Sequence, residues 1–238
     1  MSKKVSVVIP AYDMHGHGGK FLDFSLNKLY EQTYQNYEVV ISDHSNQNQN
    51  DVENVCRYWK NKKRMPVNYI RNEYKRGSSS ANVNMGIKNA TGDIVKILFQ
   101  DDFLFDLNSL EVTVEAFEQS ENYWLVSACE HSNDGQTFYR PFYPKYHDRI
   151  QYGENTISSP SVLSFRNKDN QYFDENLIWL MDVEYYKRLH DNFGEPIILN
   201  TITVVNRVGE HQVSNTVVND NIKRNEFIYV DNLYRVKV

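Results

Sequence analysis

The chain carries little that would staple, anchor or divide it. Cysteine is scarce: Cys56 and Cys129 are the two in 238 residues, far apart and in no CxxC pattern. That excludes a disulfide framework and a cysteine-based zinc cluster, and it fits a reducing compartment. No window approaches the ~20 apolar residues that a membrane helix needs. The opening MSKKVSVVIPAYD has an apolar run too short for a secretory leader, and the run stops at a proline. A cytoplasmic protein with no transmembrane segment is expected. No Pro/Gly/Ser-rich linker, low-complexity run or repeat interrupts residues 1–238, so one domain is expected. Excess positive charge is missing as well. The net charge is −5, and the one cationic knot is WKNKKR at 59–64. A general nucleic-acid binder, which needs a basic face, is not expected.

What the chain does have is a 40% hydrophobic content, sufficient for a sizeable core, and 17 Tyr with 12 Phe. Tyrosine pairs an apolar body with a polar tip, which suits wet grooves for sugars or bases and equally a Tyr-rich core. The apolar pattern alternates between two periods. VSVVIPAY (5–12), YEVVISDHS (37–45), VNYIRN (67–72) and DIVKILFQDD (93–102) read as buried strands. GGKFLDFSLNKLYEQT (18–33), DVENVCRYWKNKK (51–63), SSSANVNMGIKNATG (78–92) and LNSLEVTVEAFEQS (107–120) contain helices, with Ser as cap and Gly92 as terminator of the third. Strict alternation over the first 120 residues implies an α/β fold with a mainly parallel, twisted sheet and helices on both faces. Beyond it, 124–132, 159–167 and 197–208 read as strands and 179–193 as a helix. The stretch 133–160 and the last 20 or so residues stay unassigned.

Polar residues collect where the strands end: Tyr12-Asp13, Asp43-His44, Arg71-Asn72 and Asp101-Asp102. Open α/β sheets bind ligands at that end. No phosphate loop is present. HGHGGK (15–20) fits neither GxxxxGK[ST] nor GxGxxG and reads as a mobile loop. A nucleoside diphosphate then needs another counter-charge, commonly Mg²⁺ or Mn²⁺ held by one or two carboxylates, phosphate oxygens and water. The adjacent Asp101 and Asp102 offer that; a solvated turn would carry the same pair. Asp43 reads equally as a turn cap. Asp182 reads as a first-turn helix acid favoured by the macrodipole, with Glu184 as its rival in chemistry.

Taken in order, VSVVIPAYD, QTYQNYEVVISDHS, NMGIKNATGDIVKILFQDD and FDENLIWLMDVEYYKRL resemble the family 2 glycosyltransferases of the inverting GT-A fold. The resemblance spans roughly residues 5–214. It implies a nucleotide-sugar-binding half (1–105), an acceptor and catalytic half (106–214) and a C-terminal tail (215–238). It implies transfer from a nucleoside-diphosphate sugar, such as a UDP-sugar, to a glycan or other hydroxyl acceptor, with a divalent metal (Mn²⁺ or Mg²⁺) as cofactor. Pro10, Ala11 and Tyr12 would line the nucleobase pocket, and Asp43 would accept from the base. Asp101 would contact ribose or help the metal. Asp102 would ligate the metal, His211 would touch metal or phosphate, and Asp182 would be the general base. Lys75 and Arg76 lie near a basic nucleotide contact of some relatives. The chain departs from the family pattern at Gln100, His44, Met181 and Val83, which stand where an acid, an Asp, a Glu and an Arg are usual. A nucleotidyltransferase on a related scaffold and a non-catalytic sugar-nucleotide or glycan-binding module are the alternative readings.

Overall fold

β1 (Val5–Ala11) is buried at every position because it lies inside a parallel sheet covered on both faces. Its neighbours are β2 (Tyr37–Asp43) and β4 (Ile94–Ile97), and β3 (Val67–Arg71) extends the sheet beyond β2. All three pairings are parallel, as the alternation of periods requires. The computed structural model describes residues 2–169, 171–209 and 217–235. His211, and the end of the tail beyond Arg235, lie outside the described residues.

The helices between these strands present single apolar stripes. α1 (Gly18–Tyr30) buries Leu22, Leu26 and Leu29, and α2 (Asp51–Asn61) buries Val52, Cys56 and Trp59. α3 (Ser79–Lys88) starts at Ser78, whose hydroxyl accepts from the Ala81 N–H at 3.2 Å. Its end differs from expectation, since Asn89 is the C-cap and not Gly92. Gly92 is needed elsewhere. A Cβ there would stand 2.7 Å from the Lys4 carbonyl oxygen, so the glycine lets β4 begin against β1.

HGHGGK is also more ordered than a mobile loop. Met14–Gly16 form a 3-10 turn, and Gly18 and Gly19 begin α1. Gly18 sits so close to the Tyr12 carbonyl that no side chain fits, and its N–H donates to Asp13 O at 2.7 Å.

After α4 (Ser109–Glu118) the sheet becomes mixed. β8 (Leu163–Arg166) runs antiparallel to β4, and β6 (Trp124–Ser132) lies antiparallel to β8. β9 (Ile197–Arg207) is parallel to β6, and the short β5 (Phe103–Leu104) closes the far edge against β9. The strand order is β3-β2-β1-β4-β8-β6-β9-β5, with β7 (Tyr139–Phe142) paired to β6 outside that path. Among the described residues two further α-helices follow: α5 (Met181–Phe193) and α6 (Asp220–Arg235). Among the described residues no helix is long and apolar enough to cross a membrane.

Candidate active site

The site gathers at the carboxyl ends of β1, β2 and β4. Pro10 is tolerated inside a central strand because β4 stops pairing at Val8, whose carbonyl takes the Leu98 N–H at 3.0 Å. The N–H that Pro10 lacks is not called on. Ala11 pairs with Asp43, and its carbonyl accepts from the His44 N–H and the Asn82 side-chain amide at 2.8 and 3.0 Å. Tyr12 follows, half-buried; burial and the nearby Asp101 charge raise its hydroxyl pKa. Pro10, Ala11, Tyr12, Asp43 and Asp101 therefore share one end of the sheet.

Asp43 is fully buried. Its Oδ1 accepts from the Ser45 N–H at 2.8 Å and its Oδ2 from the Tyr69 hydroxyl at 2.7 Å, with Arg71 Nη1 3.5 Å away. Behind it, Ser42, Asn72, Asn82 and His44 form a buried polar network in which Asn72 Nδ2 stands 2.9 Å from His44 Nε2. Burial lowers the His44 pKa, so the neutral ring is favoured here.

The acid pair does not end a strand. β4 stops at Ile97, and residues 98–102 turn, the Asp102 N–H closing on Phe99 O at 3.0 Å. Ser161 explains the early stop: its hydroxyl takes the Phe99 N–H at 2.9 Å, diverting it from a ladder. Gln100, where an acid was expected from the resemblance, is a backbone clamp. Its Oε1 accepts from the Tyr12 N–H at 2.9 Å and its Nε2 donates to Gly18 O at 2.7 Å.

The two aspartates differ in environment. Asp101 is half-buried, whereas Asp102 is 5% exposed. Asp102 accepts from the Ser161 hydroxyl and, at 2.8 Å, from the Arg207 N–H. Burial, and then the Asp101 charge, push its pKa well up against the pull of these bonds and of the Arg207 guanidinium. Arg207 Nε donates to Asp101 O at 3.1 Å, and its guanidinium is packed among the rings of Phe21, Phe24 and Phe103, 5.0–5.5 Å from their centroids. Deeper still, fully buried Lys96 donates to Ser161 O, and burial lowers its pKa to about 7. Two hard carboxylates held next to each other fit a Mg²⁺ or Mn²⁺ ion that draws its other ligands from phosphate and water. Among the described residues no cluster of three His, Cys, Asp or Glu side chains is present, so a fully protein-made metal cage is not built there.

Asp182 lies in the first turn of α5. Its Oδ1 accepts from the Val183 N–H and its Oδ2 from Asn155 Nδ2, both at 2.8 Å. Burial raises its pKa to about 6, and the hydrogen bonds from its surroundings only partly offset that. Its rival is otherwise engaged. Glu184 is buried, and Arg188 holds both its oxygens at 2.9 Å. Lys75 and Arg76 are likewise paired, with Glu175 at 2.9 Å and Glu73 at 3.4 Å. Trp179 is half-buried, with Lys223 Nζ 5.8 Å from its ring.

One loop touches both acidic centres. Asn155 binds Asp182, and Ser161, six residues on, binds Asp102. At ~3.6 Å per residue that loop cannot hold the two anchoring backbones more than about 20 Å apart. Between them, Ser158 accepts from Tyr186, and the Ser159 hydroxyl donates to Asn206 Oδ1 at 2.8 Å. A wide groove of about 740 Å³, lined by Arg149, Tyr152, Lys187, Asp191 and Tyr234 among others, runs along the far flank of α5 and contains none of these acids.

Several of these residues carried no mark in the sequence. Ser161, Asn155 and Lys96 gain meaning only from their neighbours. Arg207 had a faint signal, as a cation at the end of an apolar strand.

The chain matches glycosyl transferase family 2 over residues 6–188, and it belongs to that family. Over 122 residues it is 30% identical to the glycosyltransferase GlyG of Streptococcus pneumoniae serotype 4, covering 51% of this chain and 37% of GlyG. Over 118 residues it is 34% identical to an uncharacterized glycosyltransferase of Rickettsia bellii, covering 49% of this chain and 15% of that protein. The chain thus spans less than half the length of these relatives. The fold is that of TarS 1–349 of S. aureus, solved in complex with UDP-GlcNAc, with a TM-score of 0.74 at 21% identity over 98% of this chain and 66% of that one. Mannosyltransferase PcManGT of Pyrobaculum calidifontis, solved with GDP-Man and Mn²⁺, has a TM-score of 0.66 at 16% identity, covering 100% of this chain and 65% of that one. The α/β GT-A fold expected from the sequence is therefore the fold observed.

Proposed function

We propose that the chain is the transferase domain of a metal-dependent, inverting glycosyltransferase that moves a sugar from a nucleoside-diphosphate sugar, a UDP-sugar first among them, to an acceptor hydroxyl. The observation that carries this reading is the single loop 155–161. It joins a raised-pKa carboxylate at the start of a helix to an acid pair at the nucleotide end of a parallel sheet. Family membership and the nucleotide sugars in TarS and PcManGT support the choice of donor.

In this reading residues 1–105 bind the nucleotide, residues 106–214 shape the acceptor side, and 215–238 follow as a tail. Pro10, Ala11 and Tyr12 wall the base. A carboxylate has about four acceptor positions, and Ser45 and Tyr69 use two of those on Asp43, so a base N–H entering beside Tyr69 takes another. Asp101, the more open of the two acids, faces the ribose and diphosphate, with Asp102 behind it and His211 as a further contact. Asp101 and Asp102 would hold the divalent metal with the diphosphate oxygens, and the chemistry it supplies is charge neutralisation on the leaving group.

Asp182 acts on the opposite side. An acceptor hydroxyl is a weak nucleophile, and a carboxylate must take its proton as the new bond forms. Asn155 fixes Oδ2 and the Val183 N–H fixes Oδ1, so the base is oriented before the acceptor arrives. One displacement with one base inverts the anomeric centre.

The test is a panel of UDP- and GDP-sugars, with Mn²⁺ or with EDTA, read first by thermal shift and then by diphosphate release. Stabilisation that needs Mn²⁺, followed by slow donor hydrolysis, is expected. Equal stabilisation in EDTA would show the metal role to be wrong. Binding without any turnover would point to a binding module.

A further inference from the structure

α6 buries two residues among those described, Val230 and Glu226. A carboxylate 6% exposed, with no ion pair among the described residues, is a costly thing for a helix to bury. Its compensation is specific. Glu226 Oε1 accepts from the Ile178 N–H at 2.8 Å, and Oε2 accepts from the Trp179 and Leu180 N–H groups at 2.9 and 2.8 Å. Leu180 is the N-cap of α5, and Asp182 is two residues further on. The clasp thus closes on the segment that feeds the proposed base into its helix. Glu226 itself lies outside residues 6–188, the span matched by the family, whereas the amides it holds lie inside it.

Two other hydrogen bonds of α6 fall nearby but not on this segment. Tyr229 donates to Asp174 at 2.8 Å, and Tyr234 donates to Glu184 at 3.1 Å. We propose that Glu226 is a positioning residue for the transfer reaction. By holding three consecutive amides ahead of α5, the C-terminal helix sets where the Asp182 carboxylate stands. This rests on the reading of Asp182 as the base.

The charge of Glu226 has a second consequence. Of the groups around Asp182, Glu226 faces it from α6 and Tyr186 lies one turn along α5, with Cys129 of β6 behind Tyr186. The loop 153–159 contributes the neutral Asn155, and Lys223 of α6 sits over Trp179. The negative Glu226 raises the Asp182 pKa, so removing it eases ionisation of the base.

The experiment uses the full chain, UDP-GlcNAc with Mn²⁺ as probe, and release of UDP against pH. If the donor panel selects another nucleotide sugar, that one replaces it. Glu226→Gln is expected to lower plateau turnover about 10- to 100-fold, the usual cost of a misplaced catalytic group. It should also move the acidic limb to lower pH, speed amide exchange at 178–180, and leave UDP affinity within about twofold. Glu226→Asp keeps the charge and should keep the limb while losing turnover. Tyr229→Phe, which loosens α6 elsewhere, should leave the limb in place. Wild-type turnover and limb in Glu226→Gln, with exchange at 178–180 accelerated, overturn the proposal and leave α6 a mere anchor. If Glu226→Gln fails to fold, Glu226→Asp decides: full turnover with accelerated exchange overturns it. Asp182→Asn in parallel separates the two failures, because an active Asp182→Asn breaks the base reading itself, whereas a dead one beside a silent Glu226→Gln breaks the clasp alone.

Discussion

Asp182, the proposed base, would serve its site while working against the fold. Its folded pKa, about 6, lies above the ordinary value of 3.8. In the proposed mechanism the ionised form is the base, so turnover should rise with pH through about 6 and level off above it. Stability runs the other way. A raised carboxylate contributes stability that is fully present below its unfolded value and is lost as pH rises through the folded one. Asp182→Asn should therefore cut turnover by about 10² to 10⁴, erase the acidic limb, leave nucleotide affinity nearly unchanged, and melt no lower than wild type at pH 7. Steady-state rates from pH 5 to 8 beside melting curves check all four. A retained limb in Asp182→Asn would assign it to another group. Asp43 makes the opposite case, because its bonds to Ser45 and Tyr69 are structural and its proposed bond to the base is functional. Asp43→Ala should lower both the melting point and nucleotide affinity, the latter by about 1.5 to 3 kcal/mol for a lost charge-assisted bond. Titration calorimetry with UDP decides it: unchanged affinity would leave Asp43 a turn residue only.

At the scale of elements, the loop 155–161 and the turn 98–102 depend on each other. Ser161 accepts from Phe99 N–H and donates to Asp102, so one hydroxyl both stops β4 and orients an acid. Ser161→Ala should orphan the Phe99 amide and a buried carboxylate oxygen, costing about 1–3 kcal/mol. It should also weaken Mn²⁺-dependent nucleotide binding more than binding in EDTA. Denaturant melts and the same titration repeated in both conditions measure this; equal loss in the two would detach Ser161 from the metal side. The boundaries of β4 show why part of this was hidden. An apolar run, IVKILF, continues past the point where the strand ends. What ends it is a serine more than 60 residues away in sequence. α6 was hidden differently. Ile222, Glu226, Tyr229, Val230 and Tyr234 form one helical stripe, but an acid and two tyrosines dilute its apolar signal. A lone acid on an otherwise inward stripe is the mark that could have been read.

For the whole molecule, the proposed nucleotide half and the proposed acceptor half are sewn into one sheet by β8, which runs antiparallel to both β4 and β6. Ligand binding at the carboxyl ends should then stabilise the chain as a unit. At a hundred times its dissociation constant a donor adds about 2.7 kcal/mol, seen as one cooperative melt shifted upward in Mn²⁺ and unshifted in EDTA. Two separate transitions on melting would contradict that coupling. The first 120 residues were legible because period and punctuation there are local properties. A fully buried strand is rich in β-branched residues, an amphipathic helix repeats at 3.6, and a polar residue at a strand end needs no distant partner to be noticed. Tyr12, Asp43, Asp101 and Asp102 were singled out that way, and the resemblance in register gave them and Asp182 their expected roles. What each acid does depends on burial, and burial belongs to tertiary structure. The order of the strands beyond β4, the inward turn of Asp102 and the burial that raises the pKa of Asp182 arise from contacts between residues far apart in the chain. Sequence determined which groups stand at the ends of the strands. Only the folded packing, by taking water from some carboxylates and giving others a cation or an amide, decided which of them are held by the fold and which stand open to the proposed chemistry.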